Sequence, residues 1–251
     1  MSSKKTNEEF FGHFWNENMI DYLSHSAGSR WFAHLLSKML QELPAHQIKS
    51  VADIGCGVGN KTAQLATHFK HAEVIGYDFS EPAIEAAKKH YKIENLKFAT
   101  EDITNAKHKK KVDLITAFEV LEHIEHWEDL AKKLININTK YMMISVPVGR
   151  MRPYEVHIGH YRNYKRGQIE KFMEDHGYRT VKTFYAGFPF YSPIVRNITN
   201  ASFSRGYTEL PQNKMSFLAK RMHDIWYILF RYASLRNRGD TYIGLFEATS
   251  K

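Results

Sequence analysis

The stretch Val51-Ala52-Asp53-Ile54-Gly55-Cys56-Gly57-Val58-Gly59-Asn60 has three glycines at alternate positions, directly behind an apolar run that carries one acid. Such a run is typical of a strand that ends in a sharp turn, because glycine adopts positive φ without steric cost. Glycines in the turn also allow a ligand to approach main-chain N–H groups that a Cβ would block. The stretch therefore predicts a strand followed by a ligand-binding loop.

The spacing of these glycines disfavours two common nucleotide-binding loops. It is G-x-G-x-G, whereas a nicotinamide or flavin fingerprint carries its third glycine one position later. A phosphate-binding P-loop needs Gly-Lys-Ser/Thr, and this loop has no such triplet. A ligand of a different class is therefore expected.

Size and composition indicate a globular protein. The chain has 251 residues, 43% of them hydrophobic, so it can bury a large core. It has no run of 18 apolar residues, and its first residues lead into a charged, aromatic segment without an apolar signal core. Cys56 is the only cysteine, which excludes an intrachain disulfide and a cysteine-based zinc cluster. We therefore expect a soluble, cytoplasmic protein.

The positive charge of the chain is concentrated in its second half. The net charge is +8, and the segment from Pro147 to Arg238 contains 16 Lys and Arg against 6 Asp and Glu. Such an excess suits an anionic small substrate, nucleic acid or an anionic membrane surface. Charge alone does not separate these three partners.

Short apolar runs alternate with longer amphipathic ones, which is the pattern of βαβ units that feed a parallel sheet. The expected helices include residues 61–69 and 82–91, and Ser80 with Pro82 supplies an N-cap and a first-turn proline for the second. The pattern therefore predicts an α/β fold. The expected strands span residues 49–54, 73–78, 96–99, 112–118, 140–146, 179–188 and 240–248.

We expect one domain that spans residues 1–251. Within it, residues 1–45 would form a helical cap, 46–146 the cofactor-binding core and 147–251 the substrate-side half. The cap is predicted to contain one or two helices that serve as a lid or as plain packing elements. Its aromatic residues are Phe10, Phe11, Phe14, Trp15, Tyr22, Trp31 and Phe32.

A helical insertion, with its preceding loop, is expected at residues 189–235, before the last strand. Pro189–Gln212 is rich in proline and glycine punctuation and is predicted to be a loop. Lys214–Leu235 is predicted to be a helix whose apolar stripe packs onto the domain, with a membrane-surface helix or a dimer face as the alternatives. The stripe consists of Met215, Leu218, Met222, Ile225, Leu229 and Tyr232.

Two further acids follow predicted strands, Asp78 after the second and Asp102 after the third. In doubly wound sheets, ligands lie at the carboxyl ends of the strands. A carboxylate such as Asp78 can accept hydrogen bonds from both hydroxyls of a ribose. Asp102 can accept one from an adenine amino group while Ile103 covers the ring. Three consecutive strands thus present acids and glycines to one nucleoside.

These motifs, together with Phe118-Glu119-Val120-Leu121-Glu122-His123, resemble the class I S-adenosylmethionine-dependent methyltransferases over roughly residues 48–146. The resemblance implies a Rossmann-like, doubly wound, seven-stranded sheet whose last strand is antiparallel. It also implies that S-adenosylmethionine is the methyl donor and that the chain is an enzyme.

The resemblance also assigns roles to individual residues. Gly55, Gly57 and Gly59 would face the methionine part of the cofactor. Asp78 would bind the ribose and Asp102 the adenine, while Asp53 would help hold the loop and the amino group. The remaining residues assigned to the cofactor site are Cys56, Asn60, Phe79, Glu101, Ile103, Phe118 and Glu119.

Three histidines are candidate catalytic residues. Methyl transfer from a sulfonium is a direct displacement, so the protein mainly aligns nucleophile, methyl and sulfur and excludes water. A hydroxyl acceptor would also need a base, whereas a thiolate, an amine or an activated carbon would need orientation alone. His123 follows the fourth predicted strand, and His157 and His160 follow the fifth, so all three are expected at the ligand-binding edge.

The run Glu119-x-x-Glu122-His123 leaves the question of a metal open. With a downstream histidine it offers two carboxylates and two imidazoles to a divalent ion. It is similar to metal-using O-methyltransferases of ubiquinone biosynthesis and to small-RNA 2′-O-methyltransferases. The same run also occurs in relatives that use no metal, and we expect a site without one.

The favoured acceptor is a small molecule, methylated on oxygen, nitrogen or carbon. The chain lacks the Asn/Asp-Pro-Pro-Tyr/Phe run of adenine- and glutamine-amino methyltransferases and the Pro-Cys of cytosine-ring enzymes. Arg150, Arg152, Arg162 and Arg166 would suit an anionic acceptor. The alternatives are an RNA 2′-O- or lipid-linked methyltransferase, with nucleic acid not favoured, and a non-catalytic scaffold. A homodimer is compatible with the sequence.

Overall fold

A computed structural model describes residues 17–103, 110–204, 214–235 and 237–249. Four of the aromatic residues predicted for the cap, Phe10, Phe11, Phe14 and Trp15, lie outside the described residues, as does the 205–213 part of the predicted loop. The strands are β1 (Ser50–Ile54), β2 (Glu73–Asp78), β3 (Leu96–Thr100), β4 (Val112–Phe118), β5 (Asn138–Pro147), β6 (Tyr178–Ala186) and β7 (Thr241–Ala248).

The seven strands form one mixed sheet in the order β3-β2-β1-β4-β5-β7-β6. β1 to β5 are parallel, and β7 is antiparallel to both β5 and β6. The predicted fold class, with its antiparallel last strand, is confirmed. Because the strand order reverses between β1 and β4, the loops after these two strands diverge and leave a crevice at their carboxyl ends.

Helices cover both faces of the sheet, so its central strands are buried and apolar. Leu114, Ile115 and Ala117 of β4 are all fully buried. The helices are α1 (Glu17–His25), α2 (Ala27–Leu40), α3 (Asn60–His68), α4 (Glu81–His90), α5 (Trp127–Ile137), α6 (Pro153–His157), α7 (Gln168–Asp175), α8 (Arg196–Ser204) and α9 (Phe217–Ile228).

Two apolar clusters form the core, one on each side of the sheet. Trp127, Leu130 and Leu134 of α5 pack with Ile115 and Ile144 in one cluster. The other cluster lies under α2 and α3. Its members include Leu36, Leu40, Leu65, Phe69, Val74, Leu114 and Met143. The sheet is thus held rigidly between two layers, which fixes the position of its carboxyl edge.

The N-terminal helices lie against the glycine loop. Met19 and Ile20 of α1 pack with Val58 of the loop and with Ala83 and Ala86 of α4. The prediction of one or two helices before the sheet is confirmed, and α1 forms one wall over the loop. The division of the chain at residues 45 and 146 remains a prediction.

Part of the predicted loop Pro189–Gln212 is helical instead. Phe190–Val195 forms a π-helical turn, and α8 follows it directly. The physical reason is that proline and glycine occur only towards the two ends of the segment, at Pro189, Pro193, Gly206 and Pro211, so residues 196–204 contain neither. A buried ion pair between Arg196 of α8 and Glu155 of α6 fixes the helix.

The predicted helix Lys214–Leu235 exists as α9 and a π-helical turn at Leu229–Ala233, but it packs through a different face. Trp226, Tyr227 and Phe230 pack with Trp31 and Leu35 of α2. The stripe predicted to pack onto the domain is largely exposed, so that prediction is wrong. Among the described residues, no helix combines the length and apolar character needed to cross a membrane.

Candidate cofactor and active site

The glycine loop between β1 and α3 requires its glycines. Gly55, Gly57 and Gly59 have φ of 67°, 54° and 81°, a conformation that side chains with a Cβ rarely adopt. A Cβ on Gly55 would lie 2.5 Å from Cγ2 of Val120, and one on Gly59 would lie 2.5 Å from the Phe98 ring. The loop is therefore a cradle of bare backbone at the carboxyl end of β1.

Asp78, at the end of β2, fastens this cradle. Its Oδ2 accepts the Gly57 N–H at 2.8 Å, and its Oδ1 accepts the Ser80 N–H at 2.9 Å. Burial raises the pKa of the Asp78 carboxyl, and the backbone N–H groups of Ser80 and Gly57 act against that rise. A carboxylate oxygen has more than one lone pair, so both oxygens can still accept ribose hydroxyls.

Asp53 supports the loop from behind. Its two oxygens accept hydrogen bonds from the hydroxyls of Thr62 on α3, at 2.7 Å, and Thr116 on β4, at 2.6 Å. The residue is buried, and burial raises the pKa of its carboxyl. The two threonine bonds join β1, α3 and β4, in keeping with the predicted role in holding the loop. A contact with the cofactor amino group remains a prediction.

Cys56 fills the space beneath the loop. It is buried, and a Cβ on Gly76 would come within 2.9 Å of its sulfur. Burial, followed by the Asp53 and Asp78 carboxylates, raises the pKa of the Cys56 thiol well above its usual value. A neutral, enclosed thiol is a packing group and not a nucleophile.

The residues predicted for the adenine side lie after β2 and β3. Phe79 follows Asp78 and is 42% exposed, which is unusual for a phenyl ring and suits a stacking partner. Glu101 donates its backbone N–H to the Asp78 carbonyl at 2.8 Å, so the two strand ends are joined. Asp102 and Ile103 are half-buried beside them. Their contacts with a nucleoside remain predictions.

Asn60 and Phe118 connect the loop to α2. The Asn60 side-chain amide donates to Ser29 Oγ at 3.4 Å. The Phe118 ring packs edge-on against Phe32, with ring centroids 5.6 Å apart. Both residues thus lie where the N-terminal helices meet the carboxyl edge of the sheet, and neither has a demonstrated ligand contact.

Lys61 is a residue at this edge that the sequence analysis missed. Its ammonium group lies 4.8 Å from the ring centre of Phe32 and 5.5 Å from that of Phe118, and it donates to the Phe118 carbonyl at 3.5 Å. Burial lowers the pKa of Lys61, and the Glu119 carboxylate is the strongest influence in the opposite direction. The position of a lysine directly after the glycine loop would have been enough to name Lys61 as a candidate site residue from the sequence.

Glu119 occupies the point where the β4 loop leaves the sheet. It has a φ of 59°, which is rare for a residue other than glycine and is common at functional positions. Its Oε1 accepts the Ser145 hydroxyl at 2.8 Å, and its N–H reaches the Ser145 carbonyl at 3.0 Å. Ser145 of β5 thus orients the carboxylate of the exposed residue Glu119 at the crevice between β1 and β4.

Glu122, His123 and His160 come together, whereas Glu119, the second carboxylate that the sequence offered to a metal, is not in this group. One ligand atom from each lies within 4.8 Å of the others, and the two imidazole rings are perpendicular with centroids 4.6 Å apart. Glu122 is fully buried, and neither of its carboxylate oxygens has a hydrogen-bond partner in the part of the chain that the structure describes. Burial raises the pKa of Glu122 well above its usual value.

Burial has the opposite effect on the two histidines. It lowers the pKa of His123 to about 3, with His160 as the next cause, and lowers the pKa of His160 to about 4. Both rings are therefore neutral near pH 7. His157, the third predicted catalytic residue, is exposed at the end of α6 and is not part of this cluster.

Tyr191 is influenced by several polar groups of the cofactor and N-terminal regions. Burial raises the pKa of Tyr191, and the next causes are Tyr154, Glu119 and Tyr22, so these groups share one neighbourhood. Arg152 acts on the same phenol in the opposite direction. Phenol hydroxyls and a guanidinium beside the cofactor crevice can bind a polar acceptor.

The four arginines predicted for an anion have different surroundings. Arg162 donates to the carbonyls of Ile124 and Glu125 at 2.7 and 2.6 Å. Arg166 lies 3.7 Å from the Tyr185 ring centre and donates to the Asn237 carbonyl. Arg162 and Arg166 thus hold structural positions, and Arg152 is buried, where it donates to Asn197 Oδ1 at 3.0 Å and lies 3.7 Å from Asp240. Arg150 is exposed.

The cradle fits S-adenosylmethionine. Three glycines with positive φ leave the N–H groups of the loop without neighbouring Cβ atoms, and Asp78 offers hydrogen-bond acceptors next to them. Glu119 and Lys61 provide opposite charges for the zwitterionic methionine end. The residues present thus match the parts of this cofactor in order along the sheet edge.

Comparison with known proteins identifies the family. The family model described as a methyltransferase domain matches residues 45–213. Trans-aconitate 2-methyltransferase of Escherichia coli O139:H28 is 25% identical over 228 residues, which cover 84% of this chain and 88% of that protein.

Solved structures share the fold. Magnesium protoporphyrin IX methyltransferase from Synechocystis PCC 6803 with bound SAM has a TM-score of 0.53 at 16% identity and covers 88% of this chain and 81% of its own. Coclaurine N-methyltransferase has a TM-score of 0.55 at 16% identity, with 86% and 71% covered.

The chain belongs to the methyltransferase-domain family. It is a class I S-adenosylmethionine-dependent methyltransferase, as the sequence predicted, and S-adenosylmethionine is its methyl donor.

Proposed function

We propose that this methyltransferase acts on a small anionic acceptor that binds between Glu119 and the tyrosines Tyr22, Tyr154 and Tyr191. The observation that carries the proposal is the buried guanidinium of Arg152, which donates to Asn197 Oδ1 at 3.0 Å, lies 3.7 Å from Asp240 and, like Glu119, acts on the phenol of Tyr191. A guanidinium is the preferred partner of a carboxylate or phosphate. The relative's acceptor, trans-aconitate, is itself a carboxylate compound, which supports the same class.

S-adenosylmethionine supplies the sulfonium methyl group when it is bound. The chain's own part is alignment: the glycine loop and Asp78 hold the donor, and the tyrosines orient the acceptor. α1 packs over the loop and limits the access of water from that side. An acceptor carboxylate is already a nucleophile, so this route needs no base. In a metal-free site the neutral His123 and His160 would be weak bases, which agrees with such an acceptor.

A panel of carboxylates, phosphates, amines and phenols tests the acceptor class. We expect formation of S-adenosylhomocysteine with one or more small carboxylates or phosphates. Arg152→Lys keeps the charge but not the planar fork and is expected to raise KM for that acceptor several-fold with little change in kcat, whereas Arg150→Gln, an exposed change, should leave KM unchanged. Turnover with neutral amines or phenols alone would contradict the anionic class while leaving methyl transfer itself intact.

One observation favours a second candidate, metal-assisted methylation of a hydroxyl. The carboxylate of Glu122 is fully buried without a hydrogen-bond partner among the described residues and lies beside two neutral imidazoles. A divalent ion held by Glu122, His123 and His160 would neutralise the carboxylate and lower the pKa of an acceptor hydroxyl.

Metal analysis and a chelator separate the two candidates. The metal-assisted candidate predicts a stoichiometric divalent ion, its loss in Glu122→Gln, and activity that falls with chelator and returns with the ion. Full activity in chelator with a metal-free protein would exclude it. In either case we propose a cytoplasmic enzyme that acts on a small molecule and not on nucleic acid.

A further inference from the structure

The outer face of α9 is apolar and exposed. Five of its residues, Phe217, Leu218, Met222, Ile225 and Ile228, fall within an arc of about 140° at 100° per residue, and the exposed Arg221 is the one charged residue of the helix inside that arc. Their exposed fractions are 77%, 70%, 54%, 61% and 54%. Tyr232 and Leu235, in and after the following turn, are exposed by 71% and 50%. We call these seven residues the α9 apolar face.

The orientation of this face is fixed by specific contacts at its edge, through Asp224, and on the opposite side, through His223 and Phe230. Asp224 accepts Arg30 Nη1 at 2.6 Å, and His223 Nδ1 accepts the Ala27 N–H at 3.1 Å. Phe230 packs edge-on against Trp31, with ring centroids 5.8 Å apart. Because these contacts determine which side meets the body, the outward orientation of the apolar residues is built into the fold.

Cations accompany the apolar residues. Residues 214–238 contain six Lys and Arg against one Asp and no Glu. The Arg221 guanidinium lies over the Phe217 ring at 5.4 Å, and that of Arg231 lies over Tyr232 at 5.0 Å. Long basic side chains beside apolar ones can keep their charge at the lipid headgroups while their stems follow the apolar surface.

The combination of apolar and basic residues on the α9 apolar face favours one of three binding partners. In a symmetric dimer the same patch meets its copy, which would bring the two basic clusters together at an energetic cost. Nucleic acid would meet the cations, but the aliphatic residues Leu218, Ile225 and Ile228 match neither phosphates nor base edges. An anionic bilayer surface satisfies both the apolar residues and the charge.

We propose that the α9 apolar face docks this enzyme on an anionic lipid bilayer. The helix would lie in the interface plane, with its apolar side chains among the acyl chains and its cations at the headgroups. The inference goes beyond the proposed function, since it concerns a surface and not the acceptor. α2 connects the two regions, because Ala27 and Arg30 contact α9 while Ser29 contacts Asn60 of the glycine loop.

Vesicle flotation of the full chain tests the proposal, with phosphatidylcholine vesicles that contain or lack phosphatidylglycerol. We expect binding to the anionic vesicles, weaker binding to the neutral ones and a decline with salt. Leu218→Gln with Ile225→Gln is expected to weaken binding roughly tenfold or more. The matched variant Leu218→Met with Ile225→Met keeps the apolar surface and should bind as the wild type does.

A charge pair of variants completes the test. Arg221→Gln should weaken binding to anionic vesicles, whereas Lys132→Gln, an exposed lysine on α5, should not. No binding of the wild-type chain to anionic vesicles would overturn the proposal. A dimer in solution that the glutamine double variant converts to monomer would assign the face to a second copy instead and would also overturn it.

Discussion

The backbone N–H of Gly57 donates to Oδ2 of Asp78 at 2.8 Å, so the carboxylate that ends β2 fastens the loop that follows β1. The same carboxylate is the predicted ribose acceptor. One side chain thus shapes the cradle and offers a contact to its ligand, which makes the site sensitive to this position in two ways.

Asp78→Ala is expected to weaken S-adenosylmethionine binding roughly ten- to a hundredfold, because hydrogen bonds to the charged carboxylate are lost together with the anchor of Gly57. Isothermal titration calorimetry measures this. Glu85→Ala, an exposed change on α4, is the control and should bind as the wild type does. Equal affinity of the Asp78 variant and the wild type would contradict the assignment.

Gly55→Ala and Gly167→Ala distinguish the cost of placing alanine at a positive φ from the cost of a steric clash of its Cβ with a neighbouring side chain. Both glycines have positive φ, 67° and 78°, but a Cβ on Gly55 would lie 2.5 Å from Val120 whereas one on Gly167 would have nothing within 4 Å. Gly167→Ala should cost about 1–2 kcal/mol from strain alone. Gly55→Ala should cost more and should weaken cofactor binding. Chemical denaturation and calorimetry measure the two effects, and equal losses in both variants would show that the collision does not matter.

The contribution of His123 and His160 to the unfolding free energy of the metal-free enzyme is expected to fall as the pH drops below 6.5, against the opposite effect of the buried Glu122, Asp53 and Asp78, whose pKa values are raised. Burial lowers the pKa of His123 to about 3 and of His160 to about 4, so the unfolded state binds protons first. The contribution of each neutral imidazole to the unfolding free energy is fully present above pH 6.5. Below that pH it falls by up to about 1.4 kcal/mol per pH unit for each group. His160→Gln should make the decline in unfolding free energy shallower, whereas His71→Gln, an exposed control, should not. A decline unchanged by His160→Gln would refute the buried, neutral state of this ring.

Glu155→Gln is expected to destabilise the acceptor side by about 3–5 kcal/mol, since it leaves the buried Arg196 with less charge compensation. Glu155 is 1% exposed and Arg196 4% exposed. Asp175→Asn breaks the exposed Lys171–Asp175 pair and should cost about 0.5 kcal/mol or less. Urea denaturation compares them, and a similar small loss in both would mean that the buried pair is not a structural anchor.

The strands and the cofactor motifs were readable from the sequence because their causes are local. Alternating apolar runs and glycine placement depend on neighbours in the chain, and the observed strands differ from the predicted ones by at most two residues at either end. The acids after β2 and β3 followed from the rule that ligands lie at the carboxyl ends of strands.

The remaining features depend on contacts between distant residues. Asp53 is held by Thr116, which lies 63 residues away, and no local pattern links them. The apolar stripe of α9 could be recognised from the sequence, but its orientation could not. Contacts with Trp31 and Arg30 of α2 determine which side of the helix packs on the body, and they leave the stripe exposed. Lys61 was passed over because its surroundings, Phe32 and Phe118, come from two other elements.

A crystal structure of the enzyme with S-adenosylhomocysteine tests the central claim most directly. The account predicts the ribose hydroxyls within hydrogen-bond distance of Asp78, the adenine beside Asp102 and Ile103, and the methionine end against Gly55 and Gly57. A ligand bound elsewhere on the chain, or one whose ribose makes no contact with Asp78, would contradict it.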